Sequence, residues 1–259
     1  MIFSNDFNGE AERLTDLIQD GSPFMFLTGK AGTGKTTLLK EIYNKYKSTA
    51  VKLAPTGVAA LNVNGQTIHK FFKFPPRMFD AREIAVRKPN DAISCLELLI
   101  IDEISMVRAD LLDNIDEILK IWRKTDEPFG GIQVLAVGDL FQLPPILKDG
   151  TEAEIFNSRY KSTWFFDAHV FDYVSISGVN LETTYRQKDE RFVEALDNLR
   201  VGRELEDTVD WLNGRCLKES AEIDSTVTLT GTNKAADIYN QRKFDSLKGE
   251  EVIYPGKFD

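Results

Sequence analysis

A glycine-rich loop near the amino terminus has the residue types and spacing needed to bind phosphate. The segment from Gly29 to Thr36 reads GKAGTGKT and matches the pattern G-x-x-x-x-G-K-[ST]. It lies between an apolar run and a segment with helical spacing, the context that this pattern requires. Glycines let backbone N–H groups surround phosphate oxygens without a Cβ clash, and the amino end of the following helix adds positive potential. The alternative is a glycine-rich turn that binds nothing, which the flanking pattern disfavours.

The loop predicts a site for ATP and Mg²⁺. We expect Lys35 to reach the β- and γ-phosphates and the Thr36 hydroxyl to ligate magnesium. The other expected nucleotide contacts in the loop are Gly29, Lys30, Ala31, Gly32, Thr33, Gly34 and Thr37.

Two adjacent carboxylates follow a second apolar run, LELLIID. Asp102 and Glu103 are expected at the carboxyl end of a buried strand, where a parallel sheet presents catalytic groups. Asp102 would hold magnesium, largely through bound water, and Glu103 would orient and deprotonate the attacking water. An Asp-Glu pair alone is usually just solvated, so this prediction depends on the phosphate loop nearby.

The segment VGDLFQLPP repeats this arrangement after a third apolar run. Gly138 permits a tight exit from the strand, and Asp139 and Gln142 supply polar groups. Because Gln142 is neutral, it can contact both the γ-phosphate and the attacking water without titrating. The alternative is an ordinary polar turn after a strand.

Four continuous apolar runs must position these residues. They lie at residues 24–28, 51–54, 96–102 and 134–139. Runs without polar alternation are typical of strands buried on both faces of a parallel sheet. Apolar residues at helical intervals predict helices over 8–19, 110–124 and 190–202, and a further strand and helix are expected over 226–240. The order strand, helix, strand, helix predicts a doubly wound α/β fold.

Composition and length are those of an ordinary globular protein. The 259 residues predict one α/β domain with a smaller annex, and 42% are hydrophobic and 28% charged. The net charge of −9 argues against a generally basic nucleic-acid coat but does not exclude a local channel.

The two cysteines, Cys95 and Cys216, are far apart and form no C-x-x-C pattern, which disfavours a disulfide framework or a zinc site. The amino terminus has no signal-like pattern, and no apolar stretch approaches the length of a membrane span. We therefore expect a reducing, cytoplasmic location and no membrane partner.

Six segments resemble those of the Pif-one DNA helicases of superfamily one, relatives of RecD and Dda. In chain order they are GKAGTGKTT, APTGVAALN, GQTIHKFF, IIDEISMVRADLLD, GDLFQLPP and TYRQ, and the likeness covers Glu10 to Arg200. The resemblance implies a RecA-like P-loop NTPase domain over residues 1–205, with a small DNA-contacting insertion around 64–92. Residues 206–259 would be a linker and the truncated start of a second RecA-like domain.

The same resemblance implies a helicase motor portion that hydrolyses ATP to ADP and phosphate, with 5′–3′ polarity. Its expected partners are single-stranded DNA or DNA junctions, and its implied roles are DNA repair, recombination and telomere maintenance.

The resemblance also implies DNA contacts from Pro55, Thr56 and Gly57 and from the loop containing Thr67, His69, Lys70, Phe71 and Phe72. The residue types agree, since Thr67 and Lys70 suit phosphate and aromatic faces suit base stacking. For Phe71 and Phe72, burial in the core is an equally weighted alternative.

Two further nucleotide contacts follow from the resemblance. Arg186 in TYRQ resembles the family arginine that approaches the γ-phosphate, where a guanidinium would stabilise developing charge. Helicases of this type read adenine with a glutamine on the first helix, but the aligned residue here is Glu12, which accepts hydrogen bonds and cannot donate them. Either Gln19 replaces it or the preference for adenine is relaxed.

The segments H-K-[ST]-Q-G and V-A-[LV]-[ST]-R, which the family carries in its second motor domain, are not found in this sequence. We therefore do not expect the chain alone to unwind DNA processively, because translocation needs two domains that close around ATP. The main alternative function is a nucleotide-dependent module that binds DNA or protein without turnover. A P-loop enzyme of another class, such as a small-molecule kinase, is disfavoured because it requires neither Gln142 nor the GQTIHKFF loop.

Overall fold

The structure, a computed structural model, describes residues 8–147, 149–183, 189–216, 227–249 and 252. The chain divides into two compact units, Met1–Val209 and Asp210–Asp259. Within the described residues, no helix has the length and apolar character that a membrane crossing requires.

A parallel sheet of six strands forms the centre of the first unit. Its strands are β1 (Phe24–Gly29), β2 (Ala50–Ala54), β3 (Gln66–Thr67), β4 (Leu98–Ile101), β5 (Gln133–Val137) and β6 (Ser177–Leu181). Their spatial order is β3-β2-β4-β5-β1-β6, and every neighbouring pair is parallel. The predicted RecA-like α/β fold is confirmed, and the four predicted strands correspond to β1, β2, β4 and β5.

Ten α-helices flank or follow the sheet in the described residues. They are α1 (Asn8–Gln19), α2 (Lys35–Lys45), α3 (Gly57–Asn62), α4 (Ile68–Phe72), α5 (Ala81–Ala85), α6 (Ala109–Arg123), α7 (Thr151–Asn157), α8 (Glu190–Val201), α9 (Leu205–Cys216) and α10 (Asn233–Asp245).

Alternate side chains of the central strands belong to two apolar clusters, one on each face of the sheet. In β4, Leu99 and Ile101 belong to one apolar cluster, which also contains Ile115 of α6. Leu98 and Ile100 belong to a second cluster that includes side chains of α1 and α2. Both faces of the sheet are covered, so its strands read as continuous apolar runs rather than alternating ones.

The second unit contains α10, whose amino end is capped by the Thr232 hydroxyl accepting a hydrogen bond from the Ala235 N–H, at 3.2 Å. The helix predicted in this region is therefore present. The strand predicted before it is not found in residues 227–230, the part of that segment which the structure describes. The assignment of this unit to the start of a second RecA-like domain stays a prediction.

Candidate active site

Three segments that carry predicted catalytic residues meet at one edge of the sheet. The strands β2, β4, β5 and β1 are consecutive neighbours and run in the same direction, so their carboxyl ends lie side by side. The phosphate loop follows β1, the pair Asp102 and Glu103 follows β4, and Asp139 follows β5. This edge is where doubly wound folds bind their ligands.

The phosphate loop is closely packed on itself. Lys35 Nζ donates to the carbonyl oxygens of Gly29 and Lys30, at 2.7 and 2.9 Å. The buried hydroxyl of Thr33 donates to the same Lys30 oxygen at 2.9 Å. A Cβ on Gly29 would lie 2.7 Å from the carbonyl oxygen of Leu181 in β6, so only glycine fits there. The loop is thus held in a wrapped conformation.

The amino end of α2 faces this loop. Its N-cap, Gly34, has a φ of 89° and, within the described part of the chain, no side chain caps the helix. Thr36 and Thr37 lie exposed in its first turn. A helix amino end with uncapped N–H groups attracts anions, and phosphate oxygens would satisfy these donors.

Lys35 brings a positive charge to the phosphate loop. Burial lowers the pKa of its ammonium below the ordinary lysine value, while the nearby carboxylates of Asp139 and Glu103 oppose that shift. A lysine in this setting can move its hydrogen bonds from loop carbonyls to the more strongly accepting oxygens of a phosphate.

The two carboxylates after β4 lie in different environments. The Asp102 N–H bonds to the Leu53 carbonyl of β2 at 2.9 Å, which fixes the exit of the strand. Burial, and then the charge of Glu103, raise the pKa of Asp102 to about 6. Glu103 adopts the left-handed conformation, with a φ of 51°, which is uncommon for a residue other than glycine.

The donor set at this edge fits a magnesium ion bound together with a nucleotide. The Thr36 hydroxyl and the Asp102 carboxylate are both oxygen ligands, the kind that Mg²⁺ prefers. Within the described residues, no cluster of three or more His, Cys, Asp or Glu side chains could hold a metal by itself. A magnesium ion bound with a nucleotide takes one or two protein ligands and shares its other positions with phosphates and water.

The turn after β5 carries Asp139 and Gln142. A Cβ on Gly138 would lie 2.9 Å from Ile104 Cγ2, so glycine here lets the turn approach the segment that follows Glu103. Asp139 is only 2% exposed, whereas Gln142 is exposed. The Gln142 side-chain amide donates a long hydrogen bond, 3.5 Å, to Asp139 Oδ2.

Motif reasoning missed two residues at this site, both on α8. Arg200 pairs with Asp139, and Asp197 forms an ion pair with Lys30 of the phosphate loop. Ser105 was also missed. It lines a surface groove together with Glu103 and Gln142, and its buried hydroxyl has no hydrogen-bond partner among the described residues. No local sequence pattern marked Arg200 or Asp197, while the helical spacing of α8 did predict the element that carries them.

The predicted adenine and γ-phosphate contacts receive less support. Glu12 and Gln19 are exposed on α1, and no described contact joins either side chain to the phosphate loop. Arg186 lies outside the described residues. These three assignments stay predictions.

Part of the predicted DNA surface lines a single groove. Its lining includes Pro55, Thr56, His69, Pro144 and Ile146. Burial lowers the pKa of His69 below the ordinary histidine value, so its ring is neutral at pH 7. A neutral, partly buried imidazole offers a flat face rather than a charge.

Several polar groups near this groove have structural partners. The Thr56 hydroxyl caps α3 by accepting from the Ala59 N–H, and the Thr67 hydroxyl caps α4 by accepting from the Lys70 N–H, both at 3.2 Å. The Lys70 side chain and the backbone of Gly57 are exposed. Lys70 is therefore available to a phosphate, and the two threonines fix the helix starts around it.

The prediction that Phe71 and Phe72 offer stacking faces to DNA bases is wrong for this conformation. They are 2% and 0% exposed and belong to the main apolar cluster. The Phe72 ring stacks on those of Phe74 and Trp122, with centroid distances of 5.1 and 6.3 Å. The alternative of core packing applies because α4 turns these side chains toward α6.

Most of this chain is similar to known proteins. The model of the PIF1-like helicase family matches residues 9–210. This chain belongs to the PIF1-like helicase family. The ATP-dependent DNA helicase PIF1 of Candida albicans is 36% identical over 249 residues, and RRM3 of Saccharomyces cerevisiae is 30% identical over 254.

Solved structures of PIF1-like helicases share the fold. Pif1 from Bacteroides in complex with ADP-AlF3 and ssDNA has a TM-score of 0.84 at 35% identity, with 98% of this chain covered. A structure of two coordinating Pif1 helicases at forked dsDNA has a TM-score of 0.80 at 37% identity and covers 94% of this chain.

The chain spans only part of these PIF1-like relatives. The alignment with the Candida albicans protein includes 89% of this chain and 27% of that protein. The alignment with RRM3 includes 93% of this chain and 34% of RRM3. This chain covers 61% and 58% of the two solved chains.

Proposed function

We propose that this chain is the ATP-binding and ATP-hydrolysing portion of a DNA helicase motor, acting on single-stranded DNA or DNA junctions. The observation that supports this most strongly is the meeting of the phosphate loop, Asp102, Glu103 and the Asp139–Gln142 turn at one sheet edge. A P-loop alone would support nucleotide binding, whereas an adjacent carboxylate pair and a neutral glutamine supply what hydrolysis of the γ-phosphate requires.

The residues divide the reaction between them. The P-loop amides and Lys35 hold the β- and γ-phosphates, and Thr36 and Asp102 would hold magnesium, which neutralises charge on the phosphates when bound. Glu103 accepts the proton of the attacking water. Gln142 orients that water, and Arg186 stabilises charge on the transferred group.

The DNA-binding surface in this proposal is smaller than the residue types suggested. It consists of Pro55, Thr56, Gly57, His69 and Lys70, with Thr67 acting through the start of α4. Two observations support it: Pro55, Thr56 and His69 share a groove, and a similar Pif1 structure was solved with ssDNA. The groove is also lined by Pro144, two residues after Gln142. DNA in the groove would therefore lie close to the turn whose Gln142 is proposed to contact the γ-phosphate.

Features that concern the whole motor remain part of the proposal. They are 5′–3′ polarity, participation in DNA repair, recombination and telomere maintenance, and a reducing, cytoplasmic location consistent with the free thiol of Cys95. The alternative function is nucleotide-dependent binding of DNA or protein without turnover.

Substitution of Glu103 separates chemistry from binding. We expect Glu103→Gln to lower the rate of ATP hydrolysis about 100- to 10,000-fold, because the proton acceptor is lost, while nucleotide affinity stays at the wild-type level. Steady-state phosphate release and titration with a fluorescent ADP would measure the two properties. Glu97→Gln, an exposed glutamate just before β4, is the matched control.

Full turnover in Glu103→Gln would remove this residue from the reaction. Nucleotide binding without turnover in the wild-type chain would favour the binding module instead.

A further inference from the structure

Helix α8 carries two charged side chains that contact the nucleotide edge of the sheet. Asp197 and Arg200 are three residues apart, so they project from the same face of the helix. Asp197 accepts a hydrogen bond from Lys30 of the phosphate loop. Arg200 reaches the turn after β5. The helix therefore connects two of the three segments that form the proposed ATP site.

Arg200 donates two hydrogen bonds to the carboxylate of Asp139. Its Nε donates to Oδ2 at 3.1 Å and its Nη2 donates to Oδ1 at 2.9 Å. The guanidinium also lies over the Phe141 ring, 4.3 Å from its centroid. A bidentate arginine fixes the orientation of a carboxylate and also stabilises its charged form. Asp139 is almost completely buried, so its ionised form depends on this partner.

The carboxylate of Asp139 in turn organises the residues that follow it. Oδ1 accepts from the Phe141 N–H at 3.1 Å, and the Gln142 N–H bonds to the Asp139 carbonyl at 3.0 Å. Oδ2 faces the Gln142 side-chain amide nitrogen at 3.5 Å. Both oxygens thus serve Arg200 and the turn at the same time.

We propose that Arg200 is a positioning residue for Gln142, acting through Asp139. This inference rests on the proposed function, since it concerns the water-orienting role of Gln142. By fixing both carboxylate oxygens, Arg200 keeps Oδ2 directed at the Gln142 amide nitrogen. The amide oxygen of Gln142 is then left to accept a hydrogen bond from the attacking water.

The test compares Arg200→Gln, Arg200→Lys and the double variant Asp139→Asn/Arg200→Gln with the wild-type chain. The matched control is Arg203→Gln, an exposed arginine just beyond the end of α8. Steady-state ATP hydrolysis with a single-stranded oligonucleotide gives kcat and KM, and fluorescent ADP gives nucleotide affinity. Thermal denaturation reports stability, and hydrogen exchange of the amides of Phe141 and Gln142 reports order in the turn.

We expect Arg200→Gln to lower kcat about 10- to 100-fold, the size of effect that a misplaced catalytic group produces, with ADP affinity unchanged. The kcat of Arg200→Lys should lie between those of this variant and wild type, because an ammonium cannot bind both carboxylate oxygens in a bidentate manner. The double variant should regain stability, since no unpaired buried charge remains, but its kcat should stay low. Arg203→Gln should behave like wild type.

Three results from the kinetic, stability and affinity measurements would overturn the inference. Wild-type kcat in Arg200→Gln would show that the pair does not position Gln142. Recovery of kcat together with stability in the double variant would make Arg200 a purely structural residue. Loss of ADP affinity with kcat unchanged would mean that Arg200 contacts the nucleotide directly.

The exchange measurement keeps this inference separate from the proposed function. If the wild-type chain binds nucleotide but does not hydrolyse it, the proposed hydrolysis fails, and the exchange rates still test the positioning. Faster exchange of Phe141 and Gln142 amides in Arg200→Gln, with wild-type rates in Arg203→Gln, would support it. Unchanged rates in both variants would contradict it.

Discussion

At the scale of single residues, the two aromatic types in the GQTIHKFF segment have different roles. His69 lines the groove that also contains Pro55 and Thr56, whereas Phe71 and Phe72 point into the core. Residue type allowed base stacking for all three and did not decide between stacking and core burial for Phe71 and Phe72. The helix start at Ile68, which the capping hydroxyl of Thr67 fixes, decides which ring faces solvent.

His69→Ala should weaken binding of a single-stranded oligonucleotide without changing nucleotide affinity. The expected loss is about 1–3 kcal/mol, the range for one stacked base. Fluorescence anisotropy with a labelled oligonucleotide would measure it, and His169→Ala, which changes the other histidine, is the control. Unchanged DNA affinity in His69→Ala would remove this residue from the DNA surface.

Phe72→Ala should act on stability rather than on DNA contact. Removing a fully buried ring leaves a cavity among Phe71, Phe74 and Trp122, which costs about 3–5 kcal/mol. Val86→Ala, at a side chain that is 89% exposed in the same region, should change stability by less than about 0.5 kcal/mol. Denaturant unfolding would compare the two, and equal effects would contradict the core assignment.

At the scale of elements, the sequence predicted the strands that are buried on both faces and missed those at the edges. β1, β2, β4 and β5 are central and read as apolar runs. β3 has only two residues, and the outer strand β6 alternates buried Val179 and Leu181 with exposed positions. Edge strands are set by their pairing partners, and a single sequence does not contain that information.

The candidate site follows the same division. Residues fixed by local patterns were predictable, because a phosphate loop or a strand end forms from neighbouring residues. Arg200 and Asp139 are 61 positions apart in the sequence, and no local pattern around either residue predicts that they pair. Contacts of this kind arise from the packing of α8, which spacing alone does not specify.

The ion pair between Arg200 of α8 and Asp139 after β5 should make the stability of the fold depend on pH. Burial alone would raise the pKa of Asp139, but hydrogen bonds from Arg200 and the Phe141 N–H outweigh it and hold the pKa below the ordinary value. A depressed carboxyl pKa contributes stability that is fully present above the ordinary value of about 4 and is lost as the pH falls through the lower folded-state value.

The difference in stability between wild type and Asp139→Asn should therefore be largest near pH 7 and should shrink below about pH 4. Thermal denaturation of both proteins over this pH range would measure it. A difference that stays constant down to pH 2 would show that the charge of Asp139 does not stabilise the fold.

The exit from β5 is a second element-scale constraint. In Gly138→Ala the new methyl group would meet Ile104 Cγ2 at 2.9 Å and the backbone nitrogen of Ser105 at 3.3 Å. The segments after β4 and β5 would have to separate, at a cost of about 1–3 kcal/mol. We expect lower stability and slower ATP hydrolysis, and Gly178→Ala, where a Cβ meets nothing within 4 Å, is the control. Wild-type activity in Gly138→Ala would contradict this close packing.

At the scale of the whole molecule, the nucleotide edge and the groove share one compact unit. Residues from Gly29 to Arg200 lie within Met1–Val209, which also contains every groove residue. In the proposed function, coupling between ATP and DNA would begin inside this unit, at the turn that runs from Asp139 to Pro144.

The most direct test of this account is magnesium-dependent ATP hydrolysis by the chain with and without a single-stranded oligonucleotide. We expect hydrolysis that DNA stimulates, that Lys35→Ala abolishes, and that Lys40→Ala, at an exposed lysine on the same helix, retains. Hydrolysis that persists undiminished in Lys35→Ala, or that DNA leaves unchanged in the wild-type chain, would contradict a coupled ATP and DNA site at this sheet edge.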